Sequence, residues 1–170
     1  RSTTLHEGEC SAVTMERHVA RAVKAFKEGH PVCLFDSEKR EGETDLLFPG
    51  IAALPANMRQ LRQDCGGLLF LAIGDEVGEQ FALPFLQDLH TTNEAVEAFP
   101  VLGHLITNDL RYDARSAFTL SLNHRETYTG ITDHDRALTT RRFAELAAEC
   151  MKEGASVQSG MQRLGEEFRT

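Results

Sequence analysis

The chain has 170 residues, 41% apolar and 26% charged, with a formal net charge of −8 and a pI near 5.4. That length suits one domain with a sizeable core. The acidic balance argues against binding DNA or RNA through their phosphates, which needs a basic face, and no apolar stretch approaches the roughly 20 residues of a membrane span.

Tryptophan is absent and there are two tyrosines, so no aromatic platform for single-stranded nucleic acid is evident. The start, Arg1-Ser2-Thr3-Thr4, leads into no apolar h-region, so no signal peptide is expected. The four cysteines (Cys10, Cys33, Cys65, Cys150) form no CxxC pair. Cys33 and Cys150 sit among apolar neighbours and read as buried thiols. A reduced, cytoplasmic protein is the simplest reading.

Residues 1–13 are polar and aperiodic and read as a loose arm, with one domain over 14–170. A helix is predicted over 15–28: Met15, Val19, Ala22, Val23 and Phe26 recur at helical spacing, Thr14 can cap the start and Gly29 can close the end. Residues 31–35 (Pro-Val-Cys-Leu-Phe) read as a buried strand, and 45–48 as extended chain. A second helix is expected over 55–65, stopped by Gly66-Gly67. The apolar run 68–73 reads as another strand, and 75–81 as a short helix ended by Leu83-Pro84. Residues 86–117 are mixed and give no clear assignment. Phe118, Leu120 and Leu122 alternate with polar residues, the pattern of a half-buried strand. Thr132 or Asp133 then caps a long helix with Leu138, Phe143, Leu146, Ala147, Cys150 and Met151 on its apolar face, stopped by Gly154. Helices interleaved with strands indicate an α/β or α+β domain, expected as a mixed sheet flanked by helices.

Three segments could carry chemistry. The first is Arg40-Glu41-Gly42-Glu43-Thr44-Asp45, which follows Asp36 between two strand-like stretches. Four carboxylates and a guanidinium crowd this loop. Like charges repel and couple their titrations, so a divalent cation or a polar substrate would compensate. Magnesium takes oxygen ligands, usually one or two carboxylates plus water and substrate oxygens. In an extended segment Glu41 and Glu43 would share a face and Arg40 would point away, unless the chain turns at Gly42. The bland alternative is a solvated acidic turn. The second segment, residues 127–136, puts threonines and Gly130 at the mouth of a helix. It could hold an anion, or be a plain capped start with Asp135 near the positive dipole end. The third, Asp109-Leu110-Arg111-Tyr112-Asp113, could line a pocket but more often is a surface turn. The seven histidines form no recognised metal pattern, although His124 and His134 lie near the suggestive loops.

Taken together, these segments resemble 3,4-dihydroxy-2-butanone 4-phosphate synthase in its archaeal form. The matching residues are the charged run from Asp36 to Asp45, Asp64-Cys65-Gly66-Gly67-Leu68, Leu83-Pro84-Phe85, Tyr112-Asp113-Ala114-Arg115-Ser116-Ala117-Phe118, Asn123-His124-Arg125, Tyr128-Thr129-Gly130-Ile131-Thr132-Asp133 and Asp135-Arg136-Ala137. Order and spacing match over roughly residues 16–170. The resemblance implies a lyase of riboflavin biosynthesis that converts ribulose 5-phosphate to 3,4-dihydroxy-2-butanone 4-phosphate and formate. It implies magnesium or manganese as cofactor and a homodimer with active sites at the subunit interface. By similarity Glu41 is a metal ligand, and Arg40, Glu41, Asp45 and Thr129 contact substrate. Asp36 and Glu43 share the pocket and orient the sugar or move protons.

Two departures accompany the match. Phe70 stands where the family usually has a pocket-lining cysteine. Family members also continue beyond the position of Phe168-Arg169 into a Pro-Gly-His segment, then an Arg-x-Gly-His-Thr segment and a Glu, which supply the second metal ligand, phosphate-binding groups and a further acid–base group. The chain is therefore expected to be a fragment that lacks half of the active site. A non-catalytic sugar-phosphate-binding or regulatory paralogue is the alternative, and a purely structural acidic domain the third.

Overall fold

A computed structural model describes residues 12–106 and 109–170. The expected loose arm lies largely outside the described residues. The chain divides into two compact units, Arg1–Ala52 and Ala53–Thr170.

In the first unit, helix α1 (Ala12–Lys27) ends where Gly29 takes a left-handed φ of +86°, a conformation that glycine adopts without penalty. Strands β1 (Val32–Phe35) and β2 (Thr44–Leu47) pair antiparallel, with Val32 opposite Leu47 and Phe35 opposite Thr44. The expected strand is thus present, but it is not buried: Cys33, Leu34 and Phe35 are all exposed. A two-stranded ribbon has no interior of its own. The Cys33 thiol is accordingly exposed, against expectation, whereas Cys150 is fully buried.

The second unit is built around a long helix. Helix α2 (Pro55–Asp64) starts with proline at its first position, where the missing N–H is not needed. Next come α3 (Asp75–Gln80), α4 (Leu86–His90), α5 (Asn93–Ala98), α6 (Leu102–Leu105), β3 (Asn123–His124), α7 (Asp133–Glu153), α8 (Val157–Glu167) and β4 (Phe168–Arg169). Thr132 caps α7, accepting from the Asp135 N–H, and Gly154 closes it at φ +63°. The helix buries Phe143, Leu146, Ala147 and Cys150 against Phe81 and Phe168. The Phe143 ring lies 5.5 Å from Phe81 and 5.9 Å from Phe168, both tilted rather than stacked, which is the geometry that aromatic quadrupoles favour. A smaller cluster joins Ala53 and Met58 to Ala137. Arg62 of α2 forks onto the Asp133 carboxylate at 3.2 and 3.0 Å, tying α2 to the start of α7.

The expected mixed sheet is replaced, among the described residues, by two separate antiparallel pairs, β1–β2 and β3–β4. The apolar runs 68–73 and 118–122 carry no strand. A short apolar run becomes a strand only when a neighbouring strand takes its backbone hydrogen bonds, and none does so here. Helix α8 was not anticipated. Its backbone packs directly on α3 at Gly160, where an added Cβ would lie 2.4 Å from the Gln80 carbonyl oxygen. No helix among the described residues is long and apolar enough to cross a membrane.

Candidate functional site

Five of the six predicted site residues lie on the β1–β2 hairpin of the first unit. The strands hold the ends of the loop, and Asp36 holds its middle. The Asp36 N–H donates to the Glu43 carbonyl at 3.2 Å, and the Arg40 and Gly42 N–H groups donate to the Ser37 carbonyl at 2.9 and 3.2 Å. The Asp36 carboxylate then turns inward: Oδ2 accepts the Glu41 N–H at 3.0 Å and Oδ1 the Glu43 N–H at 3.2 Å. Gly42, at φ +65° with open space around it, makes the reversal. The chain therefore turns at Gly42 rather than running extended through the acidic pair.

The electrostatics follow from that geometry. Burial pushes the Asp36 carboxyl up, but the N–H groups of Glu41, Glu43, Gly42 and Ser37 outweigh it and hold Asp36 below its ordinary value. Glu43 moves the other way. The charge of Glu41 is the largest cause, followed by burial, by Asp45, by a shared hydrogen bond with Glu41 and by Asp36. The charges of Glu41, Asp45 and Asp36 thus act together on Glu43, from the loop and from β2.

This donor set fits a hard divalent cation in part. Carboxylate oxygens suit magnesium or manganese, and positive charge would relieve the repulsion that raises Glu43. Among the described residues no group of three or more potential ligands converges on one point.

Thr129 belongs to the second unit. It lies on the exposed loop between β3 and α7, and Tyr128 beside it is 92% exposed. Beneath the loop, Asp135 is only 6% exposed, and its Oδ2 accepts the N–H groups of Thr129 and Gly130, both at 3.0 Å. Burial raises the Asp135 carboxyl, and the N–H groups of Thr129, Gly130 and Tyr128 more than offset this, so its pKa lies below the usual carboxylate range. The Thr129 and Gly130 N–H groups are thus engaged by the chain's own carboxylate, and the Asp135 N–H by Thr132, which gives α7 its capped start.

His124, 7% exposed, organises the other end of the loop. Its N–H donates to Thr139 Oγ1 at 3.1 Å, its carbonyl accepts Thr127 Oγ1 at 2.7 Å, and its Nδ1 accepts the Glu126 N–H at 3.2 Å. His134 is largely exposed. Residues 109–113 form an exposed turn in which the Arg111 guanidinium sits 5.2 Å from the centre of the Tyr112 ring.

The sequence places Asp135 only as a charge near the helix dipole, and the structure gives its carboxylate a second task, holding the Thr129–Gly130 turn. The available signal was Thr132-x-x-Asp135, the capping pattern of a helix start. Here the acidic side chain reaches past the cap to the turn that precedes it.

The family model of 3,4-dihydroxy-2-butanone 4-phosphate synthase matches residues 20–160. The chain is 39% identical over 164 residues to the enzyme of that name from Methanosarcina mazei, covering 95% of this chain and 63% of the relative. It is 41% identical to that of Archaeoglobus fulgidus, covering 88% of this chain and 60% of the relative. It is also 41% identical to that of Methanothermobacter thermautotrophicus, covering 78% and 56%. The chain therefore spans about 60% of the length of these curated relatives. On the extent of these matches, the chain belongs to the 3,4-dihydroxy-2-butanone 4-phosphate synthase family.

Proposed function

We propose that this chain provides the ribulose 5-phosphate site of a lyase that makes 3,4-dihydroxy-2-butanone 4-phosphate and formate for riboflavin biosynthesis, working in the cytoplasm as a magnesium- or manganese-dependent homodimer. The observation that carries the reading is the hairpin in which Asp36 pins the N–H groups of Glu41 and Glu43. Within a chain of this family, that arrangement collects acidic groups that a solvated turn would have no reason to crowd.

In this reading Glu41 would hold the metal and, with Arg40 and Asp45 on the same hairpin, contact the sugar phosphate; Thr129 of the second unit keeps the substrate-contact role that the family resemblance implies. Asp36, with both oxygens occupied by backbone N–H groups, orients the loop. Glu43 accepts the proton that leaves the carbon next to the ketone. A bound divalent ion supplies positive charge beside the oxygens that become negative as that proton leaves. Arg40 holds the substrate against this edge, so that the later rearrangement proceeds from one fixed conformation.

The test is formate release from ribulose 5-phosphate with magnesium, with and without chelator, for this chain and for the longest natural reading frame that contains it. Chelator-sensitive formate, lost in Glu41→Ala, supports the proposal. Binding without formate in either form favours the non-catalytic paralogue, and Phe70→Cys becomes the first reversion to make. Neither binding nor formate refutes both.

A further inference from the structure

We infer that Asp135 is a positioning residue for Thr129: its buried carboxylate holds the 128–130 turn, and with it the exposed threonine, against the first turn of α7. This rests on the reading above, in which Thr129 contacts the sugar phosphate.

The geometry is that of a tip mounted on a frame. Thr129 and Tyr128 are exposed, whereas Asp135 and Thr127 are buried. Both N–H groups at the tip point to one oxygen of Asp135, at 3.0 Å each. The Asp135 N–H is itself fixed by Thr132 Oγ1 at 3.1 Å. One helical turn further on, Thr139 Oγ1 takes the His124 N–H at 3.1 Å. Asp135 and Thr139 are four apart and so lie on one face of α7, and residues 124–130 ride on that face at two points. On the far side Gly130 presses against Asn123, leaving no room for a side chain. A hydroxyl on an exposed loop selects a ligand only if its backbone is fixed to a fraction of an ångström, and Asp135 is the charged acceptor that does so. Helix stabilisation alone does not account for it, because Asp133 already complements the dipole in the same turn and its carboxylate goes to Arg62.

A double-mutant cycle on the longest natural reading frame tests the inference, with KM and kcat for formate release measured in wild type, Thr129→Ala, Asp135→Ala and the double variant. If Asp135 acts through Thr129, each single change raises KM by roughly five- to tenfold, the worth of about one hydrogen bond, with kcat little changed. The double variant is then no worse than the worse single. Asp135→Asn keeps an acceptor in place and recovers part of the loss; it carries the test alone if the alanine variant does not fold. Asp133→Asn leaves both constants unchanged. Native-state hydrogen exchange at the Thr129 and Gly130 N–H groups accelerates in the Asp135 variants. An active wild type whose Asp135→Ala form keeps wild-type KM and exchange, or whose two changes multiply, overturns this role alone. A wild type that neither binds ribulose 5-phosphate nor releases formate overturns the functional reading and this role together.

Discussion

Replacing Gly130 by alanine should destabilise the second unit more than the same change at Gly154, and by an amount that the geometry sets. Both glycines adopt left-handed backbone, at φ +75° and +63°. A side chain in that region costs roughly 1–2 kcal/mol, so this part is common to both. At Gly154 a new Cβ meets nothing within 4 Å. At Gly130 it would sit 2.1 Å from Asn123 Oδ1 and 2.7 Å from Asn123 Cγ. Asn123 would have to leave its rotamer and repack, which adds about 1–3 kcal/mol. Urea unfolding of the two variants should therefore show Gly154→Ala lower by roughly 1–2 kcal/mol and Gly130→Ala by roughly 2–5 kcal/mol with unchanged slope. At about 2–4 °C per kcal/mol for a chain of this size, the melting temperatures should differ by several degrees. In an Asn123→Ala background the excess should vanish, leaving the backbone part alone. Equal losses at the two glycines, or an excess that survives Asn123→Ala, would refute the steric argument.

Leu146→Ala removes a side chain that is 0% exposed and central to the main cluster; a loss of about 3 kcal/mol is expected by thermal denaturation. Gly160→Ala drives a Cβ toward the Gln80 carbonyl at 2.4 Å, and overpacking of that kind should cost about 1–3 kcal/mol in the same assay. The Asp135 carboxyl is held below its ordinary value of 3.8, so the folded form binds the proton less readily than the unfolded one. Its contribution is therefore complete at pH above 3.8 and is lost as pH falls through the lower folded value. Urea midpoints measured downward from pH 5 should fall less steeply for Asp135→Asn than for wild type.

The long helix and its stop were legible because they are local. Thr132, the apolar face from Phe143 to Cys150, and Gly154 each act within a few residues, and the structure has all of them. Gly42 as the pivot of the acidic loop was legible for the same reason. The β1–β2 pair, expected over 31–35 and 45–48, was legible as well, but the runs 68–73 and 118–122, expected as strands, are not strands. Whether Leu68, Phe70 or Phe118 lies in a sheet depends on a partner that the run itself does not encode, and all three are exposed without one. The exposure of Cys33 has the same origin, since apolar neighbours in sequence say nothing about what covers a ribbon. Helix α8 also has a local signal, Ser156 as cap and Val157, Met161 and Leu164 at helical spacing, that the expected elements left out. Gly160 is there for close packing on α3, and that demand becomes visible only in three dimensions. At the candidate site the acidic residues announced themselves by density. Asp135 did not, because its partners are backbone N–H groups, which leave no trace in the side-chain pattern.

The last turn of the chain has a bearing on the Thr129 loop that distance along the sequence would hide. Arg125 reaches across 40 residues to the Gly165 carbonyl, its N–H binds the Glu167 carbonyl, and Arg169 returns a hydrogen bond to the Thr127 carbonyl. Arg142 clasps Glu167 from α7, while the Phe168 ring stands edge-on to His124. These ties make residues 123–130 and 165–169 one cooperative unit of opening. A protease nick in α8, or a frameshift that erased it, would then loosen a threonine loop whose own sequence was untouched.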